Sequence, residues 1–187
     1  FMAPLEREDI GLVRRAAAGE FRRSRRMLID VELRRENGES VLDCALNDVV
    51  VKSDVSCIGL AVTADGVKVT DFMGDGVIVS TPTGSTAYSM SAGGPIVEPE
   101  AENIIITPIC AHIMAAKSFV LSPARRVAVK PDWQRSHVTL LSVDGTEAVR
   151  METGDEVLIR RSEKSVIMAD MGVTTFYESA MNKLTGK

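Results

Sequence analysis

The sequence of 187 residues is poor in cysteine, histidine and aromatic side chains. Its cysteines are Cys44, Cys57 and Cys110, and neither they nor His112 and His137 have the spacing of a metal site. We therefore assign no metal ligand to this sequence. An odd number of cysteines outside any disulfide pattern is typical of a reducing compartment, so we expect a cytoplasmic protein.

Two further absences limit the choice of partners. No apolar run reaches the roughly 18 residues that a membrane-spanning helix needs, and no basic and then apolar signal opens the chain. The 22 basic and 26 acidic residues give a net charge of −4, so we expect neither nucleic acid nor a membrane surface as a partner. The basic cluster at 22–26 is either a solvated run beside a strand or an anion contact.

Short apolar runs with strand periodicity are abundant. Hydrophobic residues make up 45% of the chain, which is enough for a core. Asn37-Gly38 and Asp65-Gly66 each separate two such runs, as the turns of β-hairpins do. The fold class that we predict is mainly β, a layered β-sandwich with short helices at its edges. The predicted strands are 27–33, 41–51, 57–63, 67–72, 77–81, 103–109, 119–121, 127–129, 138–143, 157–159 and 166–169.

Helices are predicted only at the two ends of the chain and in one internal segment. Asp9 is placed to cap a helix with one apolar face, and Gly19 is placed to end it. A second helix spans residues 175–184 and carries an apolar stripe. Neither terminal helix contains a residue suited to catalysis.

Residues 80–97, STPTGSTAYSMSAGGPIV, form a hydroxyl-rich segment. Pro82 ends the preceding strand, and Ser85 or Gly84 is placed to cap a short helix over 86–91. Free amides at that start, with little side-chain bulk at Gly84, suit a flat polar ligand that approaches closely. The alternative is a capped connector without a ligand. No lysine accompanies the glycines, so the segment is not a phosphate-binding P-loop.

Asn47 and Asp48 place a carboxamide and a carboxylate side by side inside an apolar run. Polar groups at such a position are costly to bury without partners. The vicinal hydroxyls of a ribose use both groups, whereas a pair that faces solvent or caps a loop needs no ligand. Gly74-Asp75-Gly76 adds a flexible bend with one carboxylate, directly before the strand that leads into the hydroxyl-rich segment.

One long run resembles the most specific signature of the NAD kinase family, namely residues 74–95, GDGVIVSTPTGSTAYSMSAGGP. Similar segments are the Asn-Asp strand at 46–50, the Pro-His segment at 107–112, the Asp-Gly turn at 143–145 and the terminal helix. The resemblance covers nearly the whole chain. It implies transfer of the γ-phosphoryl group of ATP, or of polyphosphate in some members, to the 2′-hydroxyl of the adenosine ribose of NAD, with a divalent metal such as Mg²⁺.

The resemblance also implies which residues bind the substrate NAD. Asn47 and Asp48 would hold ribose hydroxyls, and Asp75 would lie toward the nicotinamide end. The remaining contacts would come from the hydroxyl-rich segment. Those residues are Thr83, Thr86, Ala87, Tyr88 and Ser91. The tyrosine would pack against a nucleotide, and the other four would border or line the adenine pocket.

The sequence departs from the family pattern at four positions. Many bacterial members carry an arginine two residues before Asp75, where this chain has Met73. A phosphate contact is therefore absent or supplied elsewhere. Ala111, Lys117 and Ser118 replace the commoner proline, arginine and proline.

The family's Gly-Gly-Asp-Gly motif does not occur in these 187 residues. In the family, its aspartate acts on the 2′-hydroxyl, its loop meets ATP, and it belongs to an N-terminal α/β domain. We therefore predict that the catalytic residue lies upstream of Phe1 and that the isolated chain is inactive. The predicted regions are a helical lead-in at 1–20, a β-rich NAD-binding domain at 21–172 and a helical segment at 173–187.

The resemblance suggests a homodimer or homotetramer with sites near the subunit contacts. Two other classes of protein stay open. A lipid kinase of the diacylglycerol or sphingosine type needs an apolar acceptor pocket, which the hydroxyl-rich segment and Asn47-Asp48 argue against. A non-catalytic β-sandwich that binds sugars or assembles complexes does not need the short helix at 86–91.

Overall fold

The computed structural model describes residues 9–112, 116–132 and 138–185. Two six-stranded antiparallel sheets make up most of this part of the chain, which confirms the predicted mainly β, sandwich-like class. The strands are β1 (Arg22–Arg34), β2 (Ser40–Ala45), β3 (Asp48–Lys52), β4 (Ile58–Ala64), β5 (Val67–Gly74), β6 (Gly76–Ser80), β7 (Ile104–Ile109), β8 (Phe119–Leu121), β9 (Val127–Asp132), β10 (Thr139–Val143), β11 (Val149–Met151) and β12 (Glu156–Asp170). The helices are α1 (Ile10–Ala17), α2 (Tyr88–Ser91) and α3 (Phe176–Thr185).

The first sheet has the strand order β2-β1-β12-β9-β4-β5. Along β1 every second residue from Met27 to Leu33 is buried, as expected of a strand with one face on the core and one toward solvent. The predicted hairpin turn at Asn37-Gly38 joins β1 to β2, and Gly38 has the positive φ of +88° that such a turn requires.

The second sheet has the order β11-β10-β3-β6-β7-β8 and is buried on both faces at its centre. All residues of β6 and β7 are buried, and so are four of the five residues of β3. Val49 and Val79 face the large core between the sheets, whereas Val50 and Ile78 belong to a small cluster on the outer face that also includes Ala92. The hydroxyl-rich segment therefore covers the outer face of this sheet.

Several strand predictions were wrong in their bounds, and β1 and β9 are longer than the predicted 27–33 and 127–129. The apolar run 41–51 is not one strand, because the chain leaves the sheet at Leu46 and Asn47 between β2 and β3. The predicted strands 157–159 and 166–169 are parts of the single long strand β12, which pairs along β1 from Arg34 to Arg22 with one irregularity. Strand β11 was missed, since a three-residue edge strand leaves little periodic signal.

Both terminal helices were predicted. α1 ends before Gly19, as predicted, and Gly19 has a left-handed conformation with φ +78°. α3 begins after Thr175, whose hydroxyl accepts the Glu178 amide at 3.2 Å while the Glu178 carboxylate accepts the Thr175 amide at 2.8 Å. This reciprocal capping fixes the helix start. None of the helices in the described residues is long and apolar enough to cross a bilayer.

Candidate functional site

Leu46 and Asn47 leave the ladder, and their amides and the amide of Asp48 turn toward one carboxylate. Asp144 Oδ2 accepts the amide of Leu46 at 2.7 Å, and Asp144 Oδ1 accepts those of Asn47 at 2.7 Å and Asp48 at 3.0 Å. Asp144 lies in the turn after β10 with a φ of +48°, a conformation that aspartate tolerates better than most residues. A residue nearly a hundred positions away thus shapes this segment.

The carbonyl groups of the same three residues are also satisfied. The Thr81 hydroxyl donates to Leu46 O at 2.5 Å and the Thr81 amide to Asn47 O at 2.9 Å, while the Asp144 amide donates to Asp48 O at 2.9 Å. Since unpaired backbone groups are costly to bury, this full pairing keeps the segment rigid. Two residues, Thr81 and Asp144, fix all six backbone polar groups.

The Asp48 carboxyl is the most unusual group of this region. Asp48 is only 6% exposed, and no hydrogen bond from a described residue stabilises its charge. Burial raises the pKa of Asp48 to about 6, and the nearby negative charge of Asp144 adds to the shift. A buried carboxylate without a donor is a group that a hydroxyl-bearing ligand could satisfy.

Two further buried hydroxyls of this region have no partner among the described residues. Ser80 is directly opposite Asp48 in the β3–β6 register, so their Cβ atoms are about 5 Å apart. The hydroxyl oxygens of Ser80 and of Thr83 in the following loop are both buried and unpaired. Asp48 and Ser80 alternate with Val49 and Val79 of the core and therefore belong to the outer face of the sheet. The outer face thus carries a carboxylate and a hydroxyl group that the protein itself leaves unsatisfied.

The prediction of one continuous short helix over 86–91 was wrong. Gly84–Thr86 make a 3₁₀ turn, Ala87 interrupts it with a ψ of −127°, and α2 begins only at Tyr88. The Ser85 hydroxyl does not cap it, since it donates to Pro82 O at 2.7 Å and accepts the Val97 amide at 3.1 Å. These bonds tie both ends of the segment together, so the turn is a rigid cover over β6.

The structure gives a reason for Gly84 that the sequence did not predict. A Cβ atom on Gly84 would lie 2.0 Å from the carbonyl oxygen of Asn47, and its φ is not positive. Gly84 thus allows close approach of the protein backbone at Asn47. The hydroxyl-rich segment and the Asn47-Asp48 segment are consequently one packed unit.

The remaining predicted residues of the hydroxyl-rich segment differ in accessibility. Thr83 and Thr86 are buried, with 8% and 3% exposure, whereas Ala87 is half-buried. Tyr88 is 41% exposed, and Ser91 is exposed. Only the last three offer open surface to a large ligand, while the threonines lie beneath it.

Asp75 lies at the opposite end of the β3–β6 pair from Asp48. The neighbouring Gly76 pairs with Lys52, and β3 places Lys52 about 13 Å from Asp48. The structure therefore does not bring the two carboxylates together. Tyr88 lies at the same end, since its charge when ionised acts on Lys52.

The Cys57 and Cys110 side chains lie near the exposed Asp75, and the His112 ring lies near Cys57. Cys57 Sγ is 3.9 Å from His112 Nδ1, and the Cys110 thiol is hydrogen-bonded to Asp75, which raises the pKa of that thiol. No group of three or more His, Cys, Asp or Glu residues in the described part of the chain is arranged to hold a metal ion. His137 lies outside the described residues.

The sequence did not predict the residues that hold or neighbour the backbone of Asn47 and Asp48. It assigned no role to Thr81, Ser80 or the Asp144 side chain. The only local signal was the Asp144-Gly145 dipeptide, which indicates a turn with positive φ and says nothing of the distant amides.

Comparison with known proteins identifies the family of this chain. A family model described as the ATP-NAD kinase C-terminal domain matches residues 46–171, which include the whole site. The chain belongs to the NAD kinase family. An NAD kinase of Carboxydothermus hydrogenoformans is 37% identical in an alignment of 180 positions, which covers 94% of this chain and 63% of that protein. An NAD kinase of Acetivibrio thermocellus is 33% identical over 98% of this chain and 65% of its own length. The chain thus spans less than two thirds of these NAD kinases.

Two solved structures share the NAD kinase fold. Yeast NADH kinase complexed with NADH has a TM-score of 0.87 and 25% identity, and the match covers 100% of this chain and 57% of that one. An NAD kinase from Archaeoglobus fulgidus in complex with ATP has a TM-score of 0.70 and 28% identity, over 95% of this chain and 64% of that one.

Proposed function

We propose that this chain supplies the NAD-binding part of an NAD kinase, which phosphorylates the 2′-hydroxyl of the adenosine ribose of NAD and yields NADP. The phosphoryl donor is ATP or polyphosphate, used with a divalent metal. The observation that carries the proposal is the buried Asp48 carboxyl without a donor, held beside Asn47 on a fully paired backbone. The family membership supports the same activity.

In this proposal the two side chains recognise the ribose by complementary hydrogen bonds. The Asp48 carboxylate accepts from ribose hydroxyls, and the Asn47 carboxamide donates and accepts. Each hydroxyl that reaches Asp48 replaces the water that burial removed, so binding favours the ionised form. A neutral sugar without the adenosine lacks the contacts of the hydroxyl-rich segment.

The other predicted residues divide between the two ends of the dinucleotide. Ala87 and Ser91 border the adenine above the buried Thr83 and Thr86. Tyr88 and Asp75 lie at the Lys52 end of β3, about 13 Å from Asp48, which suits the far part of an extended NAD molecule. We assign no catalytic residue and no metal ligand to the described residues.

Calorimetric titration of the chain with NAD tests the acceptor site. We expect saturable binding, and we expect Asn47→Ala to weaken it about five- to 150-fold, since removal of one partner of a desolvated polar pair costs about 1 to 3 kcal/mol. Diacylglycerol and simple sugars are the comparison ligands. Stronger binding of either one, or a folded Asn47→Ala chain with unchanged NAD affinity, would contradict the proposal.

A coupled NADP assay tests whether this chain binds NAD but needs a further domain for phosphoryl transfer. Phosphoryl transfer needs the donor phosphates and metal in register with the acceptor, and alignment contributes about 7 to 11 kcal/mol in favourable intramolecular models. The Gly-Gly-Asp-Gly motif is not in these residues. We therefore expect no detectable turnover from the 187-residue chain with ATP and Mg²⁺, and turnover when an N-terminal domain with the motif is joined to it. Turnover by the chain alone that Asn47→Ala removes would show this division to be wrong.

We also propose a cytoplasmic homodimer or homotetramer. Cys44, Cys57 and Cys110 are free thiols, as is usual in a reducing compartment. Val41 and Leu42 on the edge strand β2 are 50% and 76% exposed, and exposed apolar residues on an edge strand favour association. Light scattering across a concentration series, with Leu42→Lys as the comparison variant, measures the oligomer number. A monomer at all concentrations would exclude the oligomer.

A further inference from the structure

We propose that Asp144 is a positioning residue for NAD binding, which holds Asn47 and Asp48 in the orientation that the ribose requires. The inference rests on the proposed function, because it concerns the same site. It assigns a role to a side chain that is 96 to 98 residues away from its partners in the sequence.

The hydrogen bonds of the Asp144 carboxylate all go to residues 46–48. Both carboxylate oxygens are used, one by the Leu46 amide and the other by the amides of Asn47 and Asp48. The backbone of Asp144 completes the contact, since its amide donates to Asp48 O at 2.9 Å. A neutral side chain could not accept from three converging amides equally well.

The turn around Asp144 is shaped to deliver the carboxylate. Val143 pairs with Val49, so β10 runs beside β3 up to the point where the amides emerge. Asp144 and Gly145 then take positive φ values of +48° and +71°, and the Thr146 amide closes the turn on Val143 O at 2.9 Å. This places a charged acceptor at the start of β3.

The same charge acts on the ligand-facing carboxyl. Asp144 is the second cause, after burial, of the raised pKa of Asp48. Asp144 therefore affects the site in two ways, through the backbone that carries Asn47 and Asp48 and through the field at Asp48. Removal of its charge should therefore lower the pKa of Asp48, which a purely structural role of Asp144 would not do.

Asp144→Asn is the informative substitution, because asparagine keeps the size and tolerates positive φ. Its amide nitrogen would face a backbone amide, donor against donor. We expect NAD affinity by calorimetry to fall about tenfold, the loss that one unsatisfied amide produces. Carbon-detected NMR titration of the side-chain carboxyls should show a lower pKa for Asp48.

Asp65→Asn is the matched control. Asp65 also lies in an Asp-Gly turn with a φ of +50°, and its carboxylate accepts the Arg126 amide at 2.9 Å and an Arg125 guanidinium nitrogen at 2.8 Å. It belongs to the β4–β5 hairpin of the other sheet. We expect the same substitution there to leave both NAD affinity and the pKa of Asp48 unchanged.

Several outcomes would overturn the proposal. They are an unchanged NAD affinity in Asp144→Asn, an unchanged Asp48 pKa, or an equal loss of affinity in Asp65→Asn. If Asp144→Asn does not fold, the wild-type chain decides, since the amide nitrogens of Leu46, Asn47 and Asp48 should show scalar couplings across hydrogen bonds to Asp144 Cγ. Absence of all three couplings would refute the contact. If wild-type chain does not bind NAD, the proposed function fails, and the couplings and the Asp48 pKa still test the role of Asp144.

Discussion

Asp155 and Asp48 are both nearly fully buried, with 1% and 6% exposure, but their surroundings are opposite. The Asp155 carboxylate accepts from the Arg35 guanidinium at 2.5 Å and from the amides of Glu152 and Glu36 at 2.8 and 3.3 Å. The Asp48 carboxylate has no such donors among the described residues, and its pKa is raised to about 6. A buried acid that the fold satisfies is a structural element, whereas one that the fold leaves unsatisfied is available to a ligand.

The largest effect is expected from Asp155→Ala. The substitution leaves Arg35 and two backbone amides without their acceptor, and breaking such a buried pair costs about 3 kcal/mol or more. Urea unfolding should show this loss of stability. Calorimetry at low temperature should give near wild-type NAD affinity for the folded fraction, and a loss of affinity without a loss of stability would reverse the roles assigned to the two acids.

Two glycines without room for a side chain, one near each acid, extend the comparison of Asp48 and Asp155. Replacing either by alanine should cost about 2 kcal/mol of free energy. A Cβ on Gly84 would lie 2.0 Å from Asn47 O, and one on Gly154, next to Asp155, would lie 2.5 Å from the Glu36 side chain. We expect Gly84→Ala to lower NAD affinity more than tenfold and Gly154→Ala to lower only the unfolding temperature.

Gly11→Ala is the control without crowding, because nothing lies within 4 Å of its added Cβ. Since Gly11 lies in α1, alanine there should leave stability unchanged or raise it by up to about 1 kcal/mol. Differential scanning calorimetry and NAD titration of the three variants measure the two effects side by side. Equal losses of affinity in Gly84→Ala and Gly154→Ala would show that the hydroxyl-rich segment has no special link to the site.

The smallest effect, about 1.4 kcal/mol per pH unit, is the change of the unfolding free energy with pH that Asp48 causes. Its pKa in the folded chain, about 6, is above the ordinary value of 3.8, so the folded state binds a proton more tightly than the unfolded state. Stability is therefore highest below pH 3.8 with respect to this group and falls as the pH rises to about 6, by at most about 1.4 kcal/mol per pH unit.

Asp48→Asn removes the contribution of Asp48 to the pH dependence of stability. The difference in unfolding free energy between the variant and the wild type should grow in favour of the variant from pH 4 to 6 and then stay constant, while NAD binding is lost. In the wild type, NAD affinity should fall below pH 6 by at most about tenfold per pH unit, because the proposed ribose contact uses the ionised acid. A difference that does not change with pH would mean that Asp48 is not the buried acid described above.

Sequence patterns predicted the sheets well because each strand carries its own periodic signal. Alternation in β1 and the Asp65-Gly66 turn between β4 and β5 are local properties. The pattern at 41–51 was misleading, since apolar residues continue through the point where Leu46 and Asn47 leave the ladder. What breaks that strand is the carboxylate of Asp144, which no local pattern contains.

The candidate site was predictable in its chemistry but not in its construction. The pair Asn47-Asp48 stood out because polar groups in an apolar run need partners. Gly84 also stood out, but the sequence cannot distinguish close approach of a ligand from close approach of the Asn47 backbone. The exposure of Tyr88 and the burial of Thr86 follow from the break at Ala87, which depends on packing against β6.

The contact between Asp144 and Asp48 also bears on how the molecule folds. It spans 96 residues, and closure of so long a loop must be paid in chain entropy before the contact stabilises anything. A nascent chain that ends at β9 already contains the complete signature from Gly74 to Pro95, but it has no acceptor for the amides at the start of β3. The site can therefore bind its ligand only after β10 has docked, and NAD binding during refolding would report the arrival of that strand.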